Sequence, residues 1–167
     1  MPDENFHCRH RTSIIMKTIR RGKRRRITGK TLQHTFEQTI KFSEVDSMAV
    51  VWHGHYVRFF EDGREAWGKK YGITYLDVKN NNFMIPIVSM HCEHMNPLEY
   101  GDTAIIETTF IDTPAAKLFF DYKIYRKRDG ALAASGESTQ VFLDENRELF
   151  LAVPLFYEEW KKKWGLL

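Results

Sequence analysis

The sequence predicts an α+β domain in which one antiparallel sheet curls around a single long helix. Three observations lead there. Residues 55–70 repeat their apolar side chains with a helical period. Four later segments read as strands separated by turn residues, and the third, with Leu118, Phe120, Tyr122 and Ile124 on one face, shows a clean period of two. The 167 residues contain no internal repeat and no linker dividing the core, so one domain large enough for a real hydrophobic core is expected.

In chain order, Phe36, Ile40 and Phe42 alternate loosely with polar residues and predict a first strand over 34–42. Residues 43–51 form a loop that turns apolar at its end. Tyr56, Phe59, Phe60, Gly63, Trp67 and Tyr71 then fall on one face of a helix over 55–70. Arg58, Asp62, Arg64, Glu65 and Lys69 fall mostly on the opposite face. Gly72 is a stop signal. Gly63, inside the helix, costs about 1 kcal/mol relative to Ala, which closer packing on a sheet would offset. Such a helix of about 16 residues is about 24 Å long.

Asn80, Asn81 and Asn82 mark a loop, and strands are expected over 84–95, 103–112, 117–128 and 132–143 as a four-stranded meander. Pro86 belongs at a strand start or an edge. Tyr100-Gly101-Asp102, Thr113-Pro114 and Asp129-Gly130 supply the turns. Pro154 opens a short final helix with Phe156, Tyr157, Trp160 and Trp164 on its apolar side. A sheet with one helix leaves its edges open, so pairing between protomers is expected.

Charge is distributed unevenly. The chain carries +3, yet residues 1–30 hold ten Lys/Arg and two Asp/Glu, a balance of +8; subtracting leaves −5 for residues 31–167. Residues 1–32 therefore read as a basic, disordered arm or as an upstream stretch from a misplaced start codon, and 33–167 as the folded domain. Arg20–Arg26 has the charge to touch nucleic acid or an acidic membrane surface, but nothing aromatic or periodic accompanies it. No run approaches the roughly 18 apolar residues of a membrane span, and no secretory leader is visible. Cys8 and Cys92 are far apart, which fits a reducing cytoplasm without a structural disulfide.

The segment between the first strand and the helix carries the chemistry. Asp46 stands seven residues before His53, at the entry to the long helix. A helix N-terminus offers free N–H groups and partial positive charge, and a facing carboxylate can serve as base or nucleophile. Taken alone, such an Asp is most often a cap or turn residue, and His53 an ordinary first-turn residue. Tyr56 is first a core aromatic. Glu61, beside Arg64 and Glu65, reads as a solvated face residue rather than a second acid. His53, His55, His91, Cys92 and His94 raise the question of zinc. On a strand His91 and His94 point to opposite faces and no Cys-x2-Cys is present, so no metal site is expected.

The run Asp46-Ser-Met-Ala49-Val50-Val51-Trp52-His53-Gly-His-Tyr56, followed by Arg58-Phe-Phe-Glu61, resembles the motif of the hotdog-fold acyl-CoA thioesterases of the 4-hydroxybenzoyl-CoA thioesterase-like branch. The likeness covers roughly residues 35–165. It implies a curled sheet around the central helix, active sites at a homodimer interface, and further pairing to tetramers. It places the catalytic carboxylate on Asp46, as nucleophile or as base for a water, and the oxyanion N–H at His53, whose side chain also assists. Tyr56 and Val51 are then substrate contacts. No cofactor is implied, coenzyme A being part of the substrate. Ala49 replaces the commoner Gly, and His55 stands where Asn is frequent. Of the basic cluster that holds CoA phosphates before the penultimate strand, Lys117 alone is present, with Ala115 and Ala116 beside it. An acyl carrier protein thioester is thus a second substrate candidate. Rival readings are a hotdog-fold dehydratase or hydratase, and a non-catalytic module binding nucleic acid through its arm.

Overall fold

The computed structural model describes residues 29–167. The expected basic arm up to Thr28, with Arg20–Arg26 and Cys8, lies outside them. The five strands are β1 (Thr31–Thr39), β2 (Ile87–His94), β3 (Thr103–Ile111), β4 (Lys117–Arg126) and β5 (Ala131–Val141). The helices are α1 (His55–Tyr71), α2 (Tyr75–Asn80) and α3 (Leu155–Lys163). All strand pairs are antiparallel, in the order β1-β3-β4-β5-β2. This is the α+β hotdog arrangement, and the sheet is not closed.

The meander is shorter than expected. Only β3, β4 and β5 are consecutive neighbours, and β2 pairs with β5. The cause is α1, which carries the chain from β1 at one edge to β2 at the other. The domain boundary also moves. β1 begins at Thr31, three residues earlier than expected, and Leu32 packs against the core while its carbonyl accepts the Trp67 indole N–H at 2.9 Å. Residues 31 and 32 thus belong to the sheet and not to the arm. The helix α2 was not legible as such: Thr74 caps it, its hydroxyl accepting from the Asp77 N–H at 3.2 Å while the Asp77 carboxylate accepts from the Thr74 N–H at 2.7 Å. β2 is an edge strand preceded by Pro86, and it exposes Ile87 and Val88.

The aromatic face of α1 is buried as its period requires. Phe59 and Phe60 are fully enclosed, Phe60 stacks on Tyr122 at 4.5 Å, and Trp67 meets Phe120 edge-on at 4.9 Å. Arg64 departs from the expected polar face and is buried. It is tolerated because its guanidinium donates to Tyr75 Oη at 2.7 Å and Tyr122 Oη at 3.1 Å, the latter hydroxyl lying 2.7 Å from Ser138 Oγ. α3 closes the end of α1: the indoles of Trp160 and Trp164 both donate to the Tyr71 carbonyl, at 2.8 and 2.9 Å. Lys161, buried, pairs with Asp112 at 2.7 Å and donates to the Thr113 carbonyl. Among the described residues no helix is long and apolar enough to cross a membrane.

Gly63 is where α1 comes nearest to β3. A Cβ there would stand 2.6 Å from Ile106 Cγ2 and 2.6 Å from Thr108 Oγ1, and both side chains are fully buried. β3 is held between β1 and β4 and has nowhere to retreat. Gly63→Ala gains about 1 kcal/mol of helix propensity but overpacks the interface, a change typically costing about 1–3 kcal/mol. We expect overpacking to win, so that the unfolding free energy in urea falls by about 1 kcal/mol or more despite the better helix former.

Candidate active site

Residues 44–52 form a small hairpin in front of α1. Val45 bridges Val51, the Asp46 N–H donates to the Val50 carbonyl at 2.9 Å, and the Trp52 N–H donates to the Glu44 carbonyl at 2.9 Å. The hairpin is tied to the segment after β2, because the Val51 N–H donates to the Leu98 carbonyl at 2.8 Å. Its tip is the turn Asp46–Ala49, closed by the Ala49 N–H on the Asp46 carbonyl at 2.9 Å. Asp46 Oδ1 also accepts the Met48 N–H at 2.8 Å, leaving Oδ2 without a hydrogen bond among the described residues. Asp46 is therefore a turn residue, as its type alone suggests, with one carboxylate oxygen that no described residue engages.

The first turn of α1 is the other wall. The His55 N–H donates to the Trp52 carbonyl at 2.9 Å and the Tyr56 N–H to the His53 carbonyl at 3.4 Å. The N–H groups of His53 and Gly54 donate to no carbonyl among the described residues, as expected where a helix begins. No acidic side chain occupies this first turn, so its partial positive charge is not neutralised locally.

Asp46, Val51, His53 and Tyr56 line one open groove of ≈ 320 Å³, together with Met48, Val50, His94, Met95, Asn96 and Pro97. Four of the five residues read from the sequence are thus brought together. Lys117 is not. It opens β4, whereas Arg126 at the other end of that strand reaches the groove wall by donating to the Pro97 carbonyl at 2.6 Å. The two ends are about 30 Å apart at the usual rise per residue. Glu61 is exposed and lines no part of the groove. A separate, partly open cavity beside Arg64, Tyr75, Phe120 and Gln140 measures ≈ 20 Å³. It has room for about one water molecule and is too small for a substrate.

His94, which the sequence suggests only as a metal ligand, also lines the groove. Its ring meets the Tyr56 ring edge-on at 4.8 Å, and its Nε2 lies 3.8 Å from the Cys92 thiol. His91 sits on the other face of β2 against Glu93, as a strand requires. Among the described residues no three His, Cys, Asp or Glu side chains are grouped to hold a metal ion. Burial first, then the facing charge of His53, hold the His94 imidazole below its ordinary range. Burial, helped by Glu93, pushes the Cys92 thiol up to about 11. Burial likewise raises Tyr56, against a backbone hydrogen bond at Leu98.

The model of the thioesterase-like superfamily matches residues 40–163. The chain belongs to that superfamily. It is 30% identical over 109 residues, 65% of this chain and 78% of the relative, to a protein of Bacillus subtilis (strain 168) named "Putative acyl-CoA thioesterase YneP". Its fold matches a 1,4-dihydroxy-2-naphthoyl-CoA thioesterase from Synechocystis with a TM-score of 0.67 at 19% identity, over 74% of this chain and 89% of the other. It also matches a mutant 4-hydroxybenzoyl CoA thioesterase complexed with 4-hydroxybenzoyl CoA, with a TM-score of 0.67 at 22% identity, over 77% and 97% of the two chains.

Against that family frame, Ala49 has a visible cost. It adopts φ 60°, the left-handed region that a glycine occupies freely. Ala49→Gly should raise the unfolding free energy by about 0.5–1 kcal/mol, since relief of a left-handed Ala outweighs the added freedom of the unfolded chain. The shift of the urea midpoint at constant slope measures it.

The groove also sets a pH dependence. The folded state binds a proton at His94 more weakly than the unfolded state does. The His94 contribution to stability is therefore complete above pH 6.5, the ordinary imidazole value, and declines as pH falls toward the lower folded value. Urea midpoints measured from pH 7.5 down to 5 should fall less steeply in His94→Gln than in the parent.

Proposed function

We propose that the protein hydrolyses an acyl-CoA thioester to the free acid and coenzyme A, at the groove between the Asp46 turn and the start of α1. The observation that carries this is the meeting, in one groove, of Asp46, whose Oδ2 is engaged by no described residue, with His53, at a helix start where the His53 and Gly54 N–H groups donate to no carbonyl among the described residues. A thioester carbonyl needs those two things: help for the attacking oxygen, and donors for the negative charge that develops on the carbonyl oxygen. In our reading Asp46 takes a proton from water as the water oxygen bonds to the carbonyl carbon. The His53 and Gly54 N–H groups receive the oxyanion. The C–S bond then breaks, and the proton passes to the departing thiolate. If Asp46 instead attacks directly, the same amides serve an anhydride that water opens.

His53, His94, Tyr56 and Val51 all line the groove, so we assign these four to contact with the acyl group and the thioester. The open β2 edge, with Ile87 and Val88 exposed, supports pairing between protomers, the arrangement that the resemblance implies. Because Lys117 stands at the far end of β4, any hold it takes on coenzyme A phosphates is on substrate seated in another protomer's groove.

Thiol release measured over short, long, branched and aromatic acyl-CoAs tests the activity and ranks the acyl groups. Asp46→Asn keeps the turn's acceptor but removes the base, and should lower kcat by about 10²–10⁴-fold. Wild-type turnover in that variant, or hydration of an enoyl-CoA without thiol release by the parent, would refute the assignment.

A further inference from the structure

We propose that Glu44 and Arg58 are positioning residues for the reaction, a role that rests on the hydrolytic reading of the Asp46 groove. Neither residue lines that groove. Both act on the two walls that must be held at a fixed separation for it to work.

Glu44 sits two residues before Asp46 and is 1% exposed, one of few buried carboxylates among the described residues. Its backbone and side chain hold different parts. The carbonyl accepts the Trp52 N–H at 2.9 Å, closing the mouth of the hairpin whose tip is Asp46. The carboxylate accepts the Lys41 N–H at 2.8 Å and the Gln38 amide at 3.4 Å, which ties it to the exit of β1. The same carboxylate pairs with the guanidinium of Arg58. Arg58 is the fourth residue of α1, one turn beyond the amides of His53 and Gly54.

One buried carboxylate therefore joins the strand before the turn, the hairpin carrying Asp46 and the helix start carrying the oxyanion donors. Besides the Arg58 link, the hairpin meets the helix through the peptide of residues 52–54, the edge-on contact of the Trp52 and His55 rings and the burial of Val51 in the core, and it meets the segment after β2 through the bridges to Leu98 and Glu99. Those contacts lie at the end of the hairpin that runs into α1 and on the β2 side, whereas the Glu44–Arg58 pair ties the start of the hairpin to the helix. Catalysis by a carboxylate and an oxyanion hole is sensitive to about 1 Å of misplacement, which can cost about 10²-fold in rate. Substrate binding, spread over the groove walls, is far less sensitive. The pair should thus appear in kcat and hardly in KM.

The test is a set of purified variants of the full chain, assayed for thiol release beside Asp46→Asn, with circular dichroism and thermal melts as the check of folding. Glu44→Gln keeps size and the acceptor for the Lys41 N–H but loses the charge that holds Arg58. Its kcat should fall by about 10–10²-fold with KM changed by less than about threefold. Arg58→Gln should fall as far, whereas Arg58→Lys, which keeps the charge, should recover most of the loss. The double variant should be no worse than the weaker single variant by more than about threefold, because both remove one link. If Glu44→Gln does not fold, Arg58→Gln decides alone, since the Arg58 side chain is 45% exposed. Folded variants that turn over at the parent's kcat while Asp46→Asn is inactive overturn the positioning role and leave the hydrolytic reading standing. Full activity in Asp46→Asn removes that reading, and the positioning role with it.

Discussion

The close passage of α1 over β3 is the constraint on which the rest of the molecule depends. A helix with Phe59, Phe60 and Trp67 on one side must lie against a sheet, and the missing side chain at Gly63 lets it lie close. Because it crosses the sheet, the chain leaves β1 at one edge and re-enters as β2 at the other. That crossing sets where α1 begins, in front of the hairpin at 44–52 and beside the exit of β2. The groove is where these three segments converge. It follows from the route of one helix rather than from any local preference of its lining residues.

Much of this was legible in the sequence because periodicity reports burial directly. The helix over 55–70, the alternating strands and the Pro86, Gly72 and Asp129-Gly130 punctuation all appear within a residue or a few of their expected places. What was not legible depends on pairing at a distance. A four-stranded meander and a β2 that crosses to β5 have the same local pattern, since alternation fixes which face a residue takes and not which neighbour a strand takes. Arg64 illustrates a second limit. Its place on the helix wheel borders the apolar side, and only Tyr75 and Tyr122, 11 and 58 positions away, make its burial tolerable. α2 escaped because six residues are too few to show a period.

The site divides along the same line. Asp46, Val51, His53 and Tyr56 lie within eleven consecutive positions, and a short motif sufficed to find them. His94 comes from the far side of the sheet order and carries no local mark beyond a strand end before Asn96-Pro97. Glu44 was hidden for a different reason. Two positions before an acid of evident interest, a second acid reads as solvated, and nothing in the sequence shows that Arg58 will fold over it.

The end of α1 has a consequence of its own. Its Tyr71 carbonyl is covered by the indoles of Trp160 in α3 and Trp164 just after it, and Tyr157, Trp160, Lys161 and Leu166 are all buried. During synthesis, then, the central helix and sheet emerge from the ribosome with one flank bare. That aromatic surface stays open to solvent, and to chaperones, until residues 157–166 have cleared the exit tunnel. Covering of that flank is accordingly a late step, and a nascent chain halted before α3 leaves this part of its core bare.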